Sequence, residues 1–199
     1  MIHSENMTSF HSSDVKSSQN SVSLVIKSIN GDRHVQERKS LEKLIDGDSR
    51  IIYIQKILPH EENAALMHCC DCYVSLHRSE GFGLTIAEAM LLGKPVITTG
   101  YSGNMDFTTI ETSLLVDYEL IPVQQGDYPY SKDEMWAEPD IEQAGDYMKK
   151  LVSDKDFSCS FAKKGQELIR TSFSIKSLSE IYKNRLDVIS QEKTLVQKN

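Results

Sequence analysis

The chain has 199 residues, 39% of them hydrophobic, and 22 basic against 29 acidic side chains leave a net charge of −7. That supplies the core of one ordinary domain and is too short for two large ones. The acidic balance, with no dense basic stripe, excludes a nucleic-acid footprint, and no apolar run reaches membrane-spanning length.

Residues 1–21 are rich in Ser, Asn and His without apolar periodicity, and they read as a polar lead-in to a domain spanning 22–199. VSLVIKS (22–28) is a short β-branched run that predicts a strand. Asp32 is placed to cap a helix over about 33–46, and Gly47 to stop it. RIIYIQ (50–55) predicts the next strand, and Pro59 opens a helix through AALMHC. CYVSL (72–76) is a third strand, followed by a loop and a helix to about Leu92. PVITT (95–99) is a fourth strand, GYSGN (100–104) a turn-rich loop and SLLVD (113–117) a fifth strand. Strands alternating with helices imply parallel β-α-β units, and their near-continuous apolar character fits a sheet covered on both faces. Residues 118–139, with Pro122, Pro129, Pro139, Tyr118, Tyr128, Tyr130 and Trp136, read as a long functional or interfacial connection, Trp136 as its packing anchor. Helices are expected over about 140–152, 156–172 and 175–191.

Cys69, Cys70 and Cys72 cluster while Cys159 stands alone, which is no disulfide framework. Cys69 and Cys72 form a C-x-x-C beside His68, but no second ligand pair follows at zinc spacing, so they read as structural thiols. MIHSENMTSFHSSD lacks the hydrophobic segment of a signal peptide. The expected compartment is the cytoplasm, with peripheral contact to a membrane surface left open.

The loop after the third strand carries the chemistry. HRSEGFGLTIAEAM (77–90) opens a helix with two glycines around Phe82. In an open parallel sheet, ligands bind beyond the carboxyl ends of the strands, where Ser79–Gly83 fall. Gly81 and Gly83 allow close approach, and the amides of Phe82, Gly83 and Leu84 at the positive end of a helix suit a phosphate. Ionised Glu80 and Glu88 only accept hydrogen bonds, as from adjacent hydroxyls, and helical side chains lean toward the N-terminus, returning Glu88 to the same crevice with Thr85 on its face. A diphosphate flanked by hydroxyl-bearing groups, a nucleotide sugar, satisfies this set. A merely well-capped helix with a solvated Glu88 satisfies it as well, and the residues alone leave both readings open.

E-G-F-G-L-T-I-A-E, with Glu80 and Glu88 bounding seven residues, resembles the E-x7-E motif of the glycosyltransferases group 1 family. The resemblance continues through AEAMLLGKPVITTGYSGNMDF and SLLVDYELIPV, reaches back to SLVIKSIN, and covers about residues 22–172. It implies an α/β, Rossmann-like parallel sheet with helices on both faces, the C-terminal, donor-binding domain of a GT-B enzyme. It also implies retaining transfer of a sugar from a nucleoside diphosphate to an acceptor hydroxyl, in glycan or polysaccharide biosynthesis, with no cofactor and no metal. By the family pattern Glu80, the catalytic candidate, contacts the donor sugar and Glu88 the ribose. The amides of Phe82, Gly83 and Leu84 approach the sugar and diphosphate beside Gly81. Lys27, at the end of the first strand, is a phosphate-binding candidate or a solvated strand-end lysine. QKILPHEE falls where relatives hold the base, Gly103 and Asn104 border the sugar site, and His77 and Arg78 stand beside it.

One part of that pattern is missing. Doubly wound sheets order their strands 3-2-1-4-5-6, and SLVIKS aligns with the second strand. The polar residues before it, with MTSF as their best apolar stretch, do not supply the central first strand and its helix. The chain therefore reads as a fragment, inactive without an N-terminal acceptor domain or a complementary chain; either another chain supplies the strand or its neighbours close up. A non-catalytic nucleotide-sugar-binding module and a degenerate fragment acting through protein contacts are the alternatives.

Overall fold

The structure, a computed structural model, describes residues 22–127 and 132–196, with side chains through Gln191. The expectations for residues 1–21 and for Tyr128, Pro129 and Tyr130 fall outside the described residues. Two compact units divide the chain, Met1–Ile57 and Leu58–Asn199.

In the first unit, β1 (Leu24–Ser28) and β2 (Ile51–Gln55) pair in parallel, Leu24 opposite Ile51 and Lys27 opposite Ile54, with α1 (Val35–Ile45) as the crossover. Asp32 does not cap α1. A turn through Asn30–Asp32 takes up the lead-in, with Arg33 N–H on Asn30 O and His34 N–H on Gly31 O, so the helix starts at Val35. Asp32 instead meets Arg38 at 3.1 Å in a solvent-exposed pair that contributes little. No residue of β1, α1 or β2 is fully buried. Full two-sided cover, expected for every strand, does not hold for these two, because a two-stranded sheet consists only of edges.

The second unit holds β3 (Tyr73–Ser75), β4 (Val96–Thr99) and β5 (Leu114–Val116), parallel and in the order β3-β4-β5. The helices are α2 (His60–Cys69), α3 (Leu84–Leu91), α4 (Ile141–Ser153), α5 (Lys155–Ser172) and α6 (Ile175–Val196). Central β4 is buried at all its positions. Its alternation sends Val96 to a cluster with Ile86, Ala89 and Met90 of α3, Phe107 and Ile169 of α5. The next residue, Ile97, joins Leu114, Val116 and the α4 residues Ala144 and Leu151 on the opposite face. Here an apolar run did mean a strand covered twice. Among the described residues the first unit holds one parallel pair, β1-β2, and the second a parallel trio, β3-β4-β5.

The expected long connection contains structure of its own. Tyr118–Pro122 (β6) and Met135–Pro139 (β7) form an antiparallel hairpin, Tyr118 opposite Pro139 and Ile121 opposite Trp136. Both strands are edges and each ends in a proline, the positions where a missing N–H costs nothing. That proline content is what disguised them.

The four cysteines are free thiols. Burial, the largest cause, pushes the Cys72 thiol from 9.0 up to about 12. The folded chain thus keeps a proton that the unfolded chain loses above pH 9, so this contribution to stability is whole below 9 and falls as pH rises toward 12. The slope is at most about 1.4 kcal/mol per pH unit. An alkaline series of urea unfolding curves should show this decline, and a Cys72→Ala variant should show less of it. A thiol reagent at pH 8 should label the exposed Cys69 and Cys159 well before Cys72.

Candidate functional site

Because β3 and β4 are parallel neighbours, the loops leaving their carboxyl ends are neighbours too. One runs to α3 and carries Ser79–Gly83. The other runs through Tyr101 and Ser102 to a single 3-10 turn, Gly103–Asp106. The glycines are what let them touch. A Cβ on Gly103 would lie 2.0 Å from the Gly81 carbonyl oxygen and 2.9 Å from that of Glu80. Gly83, the α3 N-cap, sits at φ 89° and ψ 47°, left-handed backbone that other residues adopt at a cost.

The first loop is held from behind. The Glu80 N–H donates to Ser102 Oγ at 2.6 Å, and the Glu80 carbonyl accepts from Ser102 Oγ at 2.5 Å and from the Gly103 N–H at 3.0 Å. Phe82 anchors the other end, its ring 5.0 Å from that of buried Phe107 and 6.2 Å from Phe173. Its side chain thus serves packing and its backbone faces the helix mouth. Among the described residues the amides of Phe82, Gly83 and Leu84 have no intramolecular acceptor, and α3 has no side-chain cap. Neither the Glu80 nor the Glu88 carboxylate has a hydrogen-bond or ion-pair partner among the described residues, though both residues are half-buried. Thr85 Oγ1 bonds Tyr73 OH at 2.9 Å. The open amides at the α3 mouth can receive anionic oxygens, and unengaged carboxylates can accept from hydroxyls.

Asn104 is wholly buried, and its side chain is spent within the protein. Nδ2 donates to Thr99 O at 3.0 Å and to Thr108 Oγ1 at 3.1 Å, while Oδ1 faces His77 Nε2 at 3.0 Å. His77 Nε2 also lies 3.1 Å from Tyr101 O. Both of its partners are acceptors, so Nε2 carries a proton, and Nδ1 lies 3.0 Å from Ser75 Oγ. Both ring nitrogens of His77 are engaged in bracing the loops. Arg78 ties the hairpin to the same place: its carbonyl accepts from Ala137 N–H at 2.9 Å, Nη2 lies 2.5 Å from Glu138 Oε2, and the guanidinium is 4.7 Å above the Trp136 ring. Glu138 stands opposite Glu119 in the hairpin, so Arg78 also offsets a like-charge pair.

Lys27 belongs to the first unit, half-buried on β1. A cavity of about 230 Å³ opens there at the carboxyl ends of β1 and β2, lined among others by Ser28, Asn30, Arg33, Gln55 and Lys56. Lys27 does not line it; the start of QKILPHEE does. No group of three His, Cys, Asp or Glu side chains placed to hold a metal occurs among the described residues. Of the two Asp-x-Asp pairs, Asp48 is engaged by Arg50, and Asp154 caps α5 through Phe157 N–H and pairs with Lys150. No helix is long and apolar enough to cross a membrane among those residues.

Ser102 had no place in the sequence reading. The only signal for it was the adjacency of Ser102 to Gly103 in a turn-rich loop, which does not say which segment that loop touches.

Three comparisons bear on these features. A family model described as Glycosyl transferases group 1 matches residues 13–121. The alpha-1,3/1,6-mannosyltransferase ALG2 of Dictyostelium discoideum is 24% identical over 147 residues, 74% of this chain and 30% of that protein. The C-terminal domain of a glycosyl transferase group 1 family protein (LpcC) from Francisella tularensis matches with a TM-score of 0.56 at 26% identity, covering 72% of this chain and 65% of that one. HepE of Anabaena, in complex with UDP and glucose, matches with a TM-score of 0.61 at 17% identity, covering 84% of this chain and 41% of that one. That last likeness is one of fold.

Proposed function

The chain belongs to the glycosyl transferases group 1 family, and on that premise we propose that it is the donor-binding portion of a retaining glycosyltransferase. It takes a nucleoside-diphosphate sugar and, completed by an acceptor-binding portion, passes the sugar to an acceptor hydroxyl in glycan or polysaccharide biosynthesis. The observation that carries this reading is the α3 mouth, where the amides of Phe82, Gly83 and Leu84 stand open within the E-x7-E segment. The Anabaena relative in complex with UDP and glucose supports the choice of donor class.

In this mechanism the three amides and the α3 dipole receive the diphosphate and stabilise its charge as the sugar departs. Glu80 accepts hydrogen bonds from the sugar hydroxyls, and Glu88 from the ribose. The family pattern further implies a phosphate-binding role for Lys27 and a base-holding role for the segment from Gln55. Charge on the leaving diphosphate is thus balanced by the chain's own donors, without a metal. Nucleotide-sugar chemistry and free thiols both fit the cytoplasm. The chain spans 30% of the length of its curated relative.

Calorimetry and thermal shift with UDP-glucose and GDP-mannose, each beside its bare diphosphate, test the reading. A bound donor at 100 times its dissociation constant should stabilise the fold by about 2.7 kcal/mol. Glu88→Ala should weaken the bare diphosphate and the sugar nucleotide alike, and Glu80→Ala the sugar nucleotide only. Each loss is about 10- to 100-fold, the worth of one or two charge-assisted hydrogen bonds. Binding that survives both substitutions unchanged would remove both carboxylates from the site and end this assignment.

A further inference from the structure

We infer that Ser102 is the positioning residue for Glu80, a role that rests on the donor-binding reading above. Three observations converge on it. Its hydroxyl grips residue 80 on both sides, accepting from the N–H at 2.6 Å and donating to the carbonyl at 2.5 Å. Its hydroxyl is thereby spent, as donor and as acceptor, on the two peptide groups that flank the Glu80 Cα. Its backbone sits at φ 74° and ψ −149°, a region that glycine alone occupies freely, although the next residue is a glycine that could have taken the strain. The loop is pinned on either side of Ser102, at the Tyr101 carbonyl one residue before and at Asn104 Oδ1 two residues after, both by His77 Nε2.

The surroundings therefore hold Ser102 in a conformation it would not choose, and what that conformation achieves is the contact with Glu80. A loop selected only for packing would place glycine at 102, relieving the strain at no steric cost. Serine adds the one thing glycine lacks, a hydroxyl that fixes the peptides on both sides of the Cα from which the Glu80 carboxylate projects. The aim of the carboxylate is set from β4, so that its loop does not have to order when a sugar arrives. Ser102 touches no substrate in this scheme; it acts through Glu80.

Two variants and two readouts test the inference. Ser102→Ala removes the hydroxyl and keeps the strain, whereas Ser102→Gly removes both, so the glycine variant should melt no lower than the alanine one. In both, the Glu80 amide should exchange with solvent at least 10-fold faster by nuclear magnetic resonance. In both, the gain in affinity of UDP-glucose over UDP, or of GDP-mannose over GDP, should fall by about 10-fold while the bare diphosphate binds as before. A glycine variant that keeps the full sugar increment would reduce Ser102 to a packing residue and overturn the inference. If the unaltered chain binds none of the four probes, the donor reading fails by itself. The grip on residue 80 then stands or falls on the exchange rate, and an unchanged rate overturns it too.

Discussion

A Gly103→Ala variant is expected to lose about 3–5 kcal/mol of stability and at least about 100-fold in donor affinity. Its new Cβ would be placed 2.0 Å from the Gly81 carbonyl oxygen, 2.5 Å from its carbon and 2.9 Å from the Glu80 oxygen. These are backbone atoms, so no side chain can swing aside, and the two loops must part. Overpacking of this kind typically costs about 1–3 kcal/mol. Parting the loops also breaks the 3.0 Å bond from the Gly103 N–H and the Ser102 grip on Glu80, each worth about 0.5–1.5 kcal/mol. Urea unfolding and calorimetric titration with UDP-glucose and GDP-mannose measure the two losses. Gly81→Ala is the matched control: its Cβ would meet nothing within 4 Å, so the unfolding midpoint should hold while donor binding weakens. Equal loss of stability in both variants would show that the contact between the loops is not what selects glycine at 103.

Phe107→Ala should cost about as much, by another route. Phe107 is 2% exposed and is the largest fully buried side chain. It packs with Ile86 and Met90 of α3 and Ile169 of α5, and its ring lies 5.8 Å from that of Phe173. Truncating a buried phenylalanine costs about 3–5 kcal/mol, because the cavity collapses only in part. Against a total of roughly 5–15 kcal/mol this is a large share. The melting temperature should fall by about 10 °C or more. Phe82, the anchor of the donor loop, loses its nearest aromatic partner in the same change. Donor affinity measured well below the melting transition should therefore fall as well. A Phe107→Leu variant should recover most of the stability and less of the affinity, since leucine refills volume without restoring the ring contact.

How much of this was legible beforehand differs by element. β3, β4 and β5 were each readable as short, mostly apolar runs alternating with helical and turn segments, and α3 from its glycine entry and its stop at Gly93. These signals lie within single segments. The β6–β7 hairpin was not readable, because its partners are separated by the whole connection and its prolines mimic loop composition. Asp32 was expected as a cap because a cap and a turn use the same residue types, and here the local hydrogen bonds form a turn through Asn30 and Gly31. Asn104 was chosen for its place after β4, yet its side chain lies inside the fold, joined to Thr99, Thr108 and His77.

The amino-acid order by itself determined the class of fold and the glycine-bracketed entrance to α3. Each of these follows from residue types at short spacing along one chain segment. The tertiary structure decided which loop backs Glu80, which serine grips it and which glycine must lack a Cβ. Those are contacts between residues more than 20 positions apart. Only the parallel pairing of β3 with β4 brings them together, and that pairing is a matter of register and packing that neither loop encodes alone.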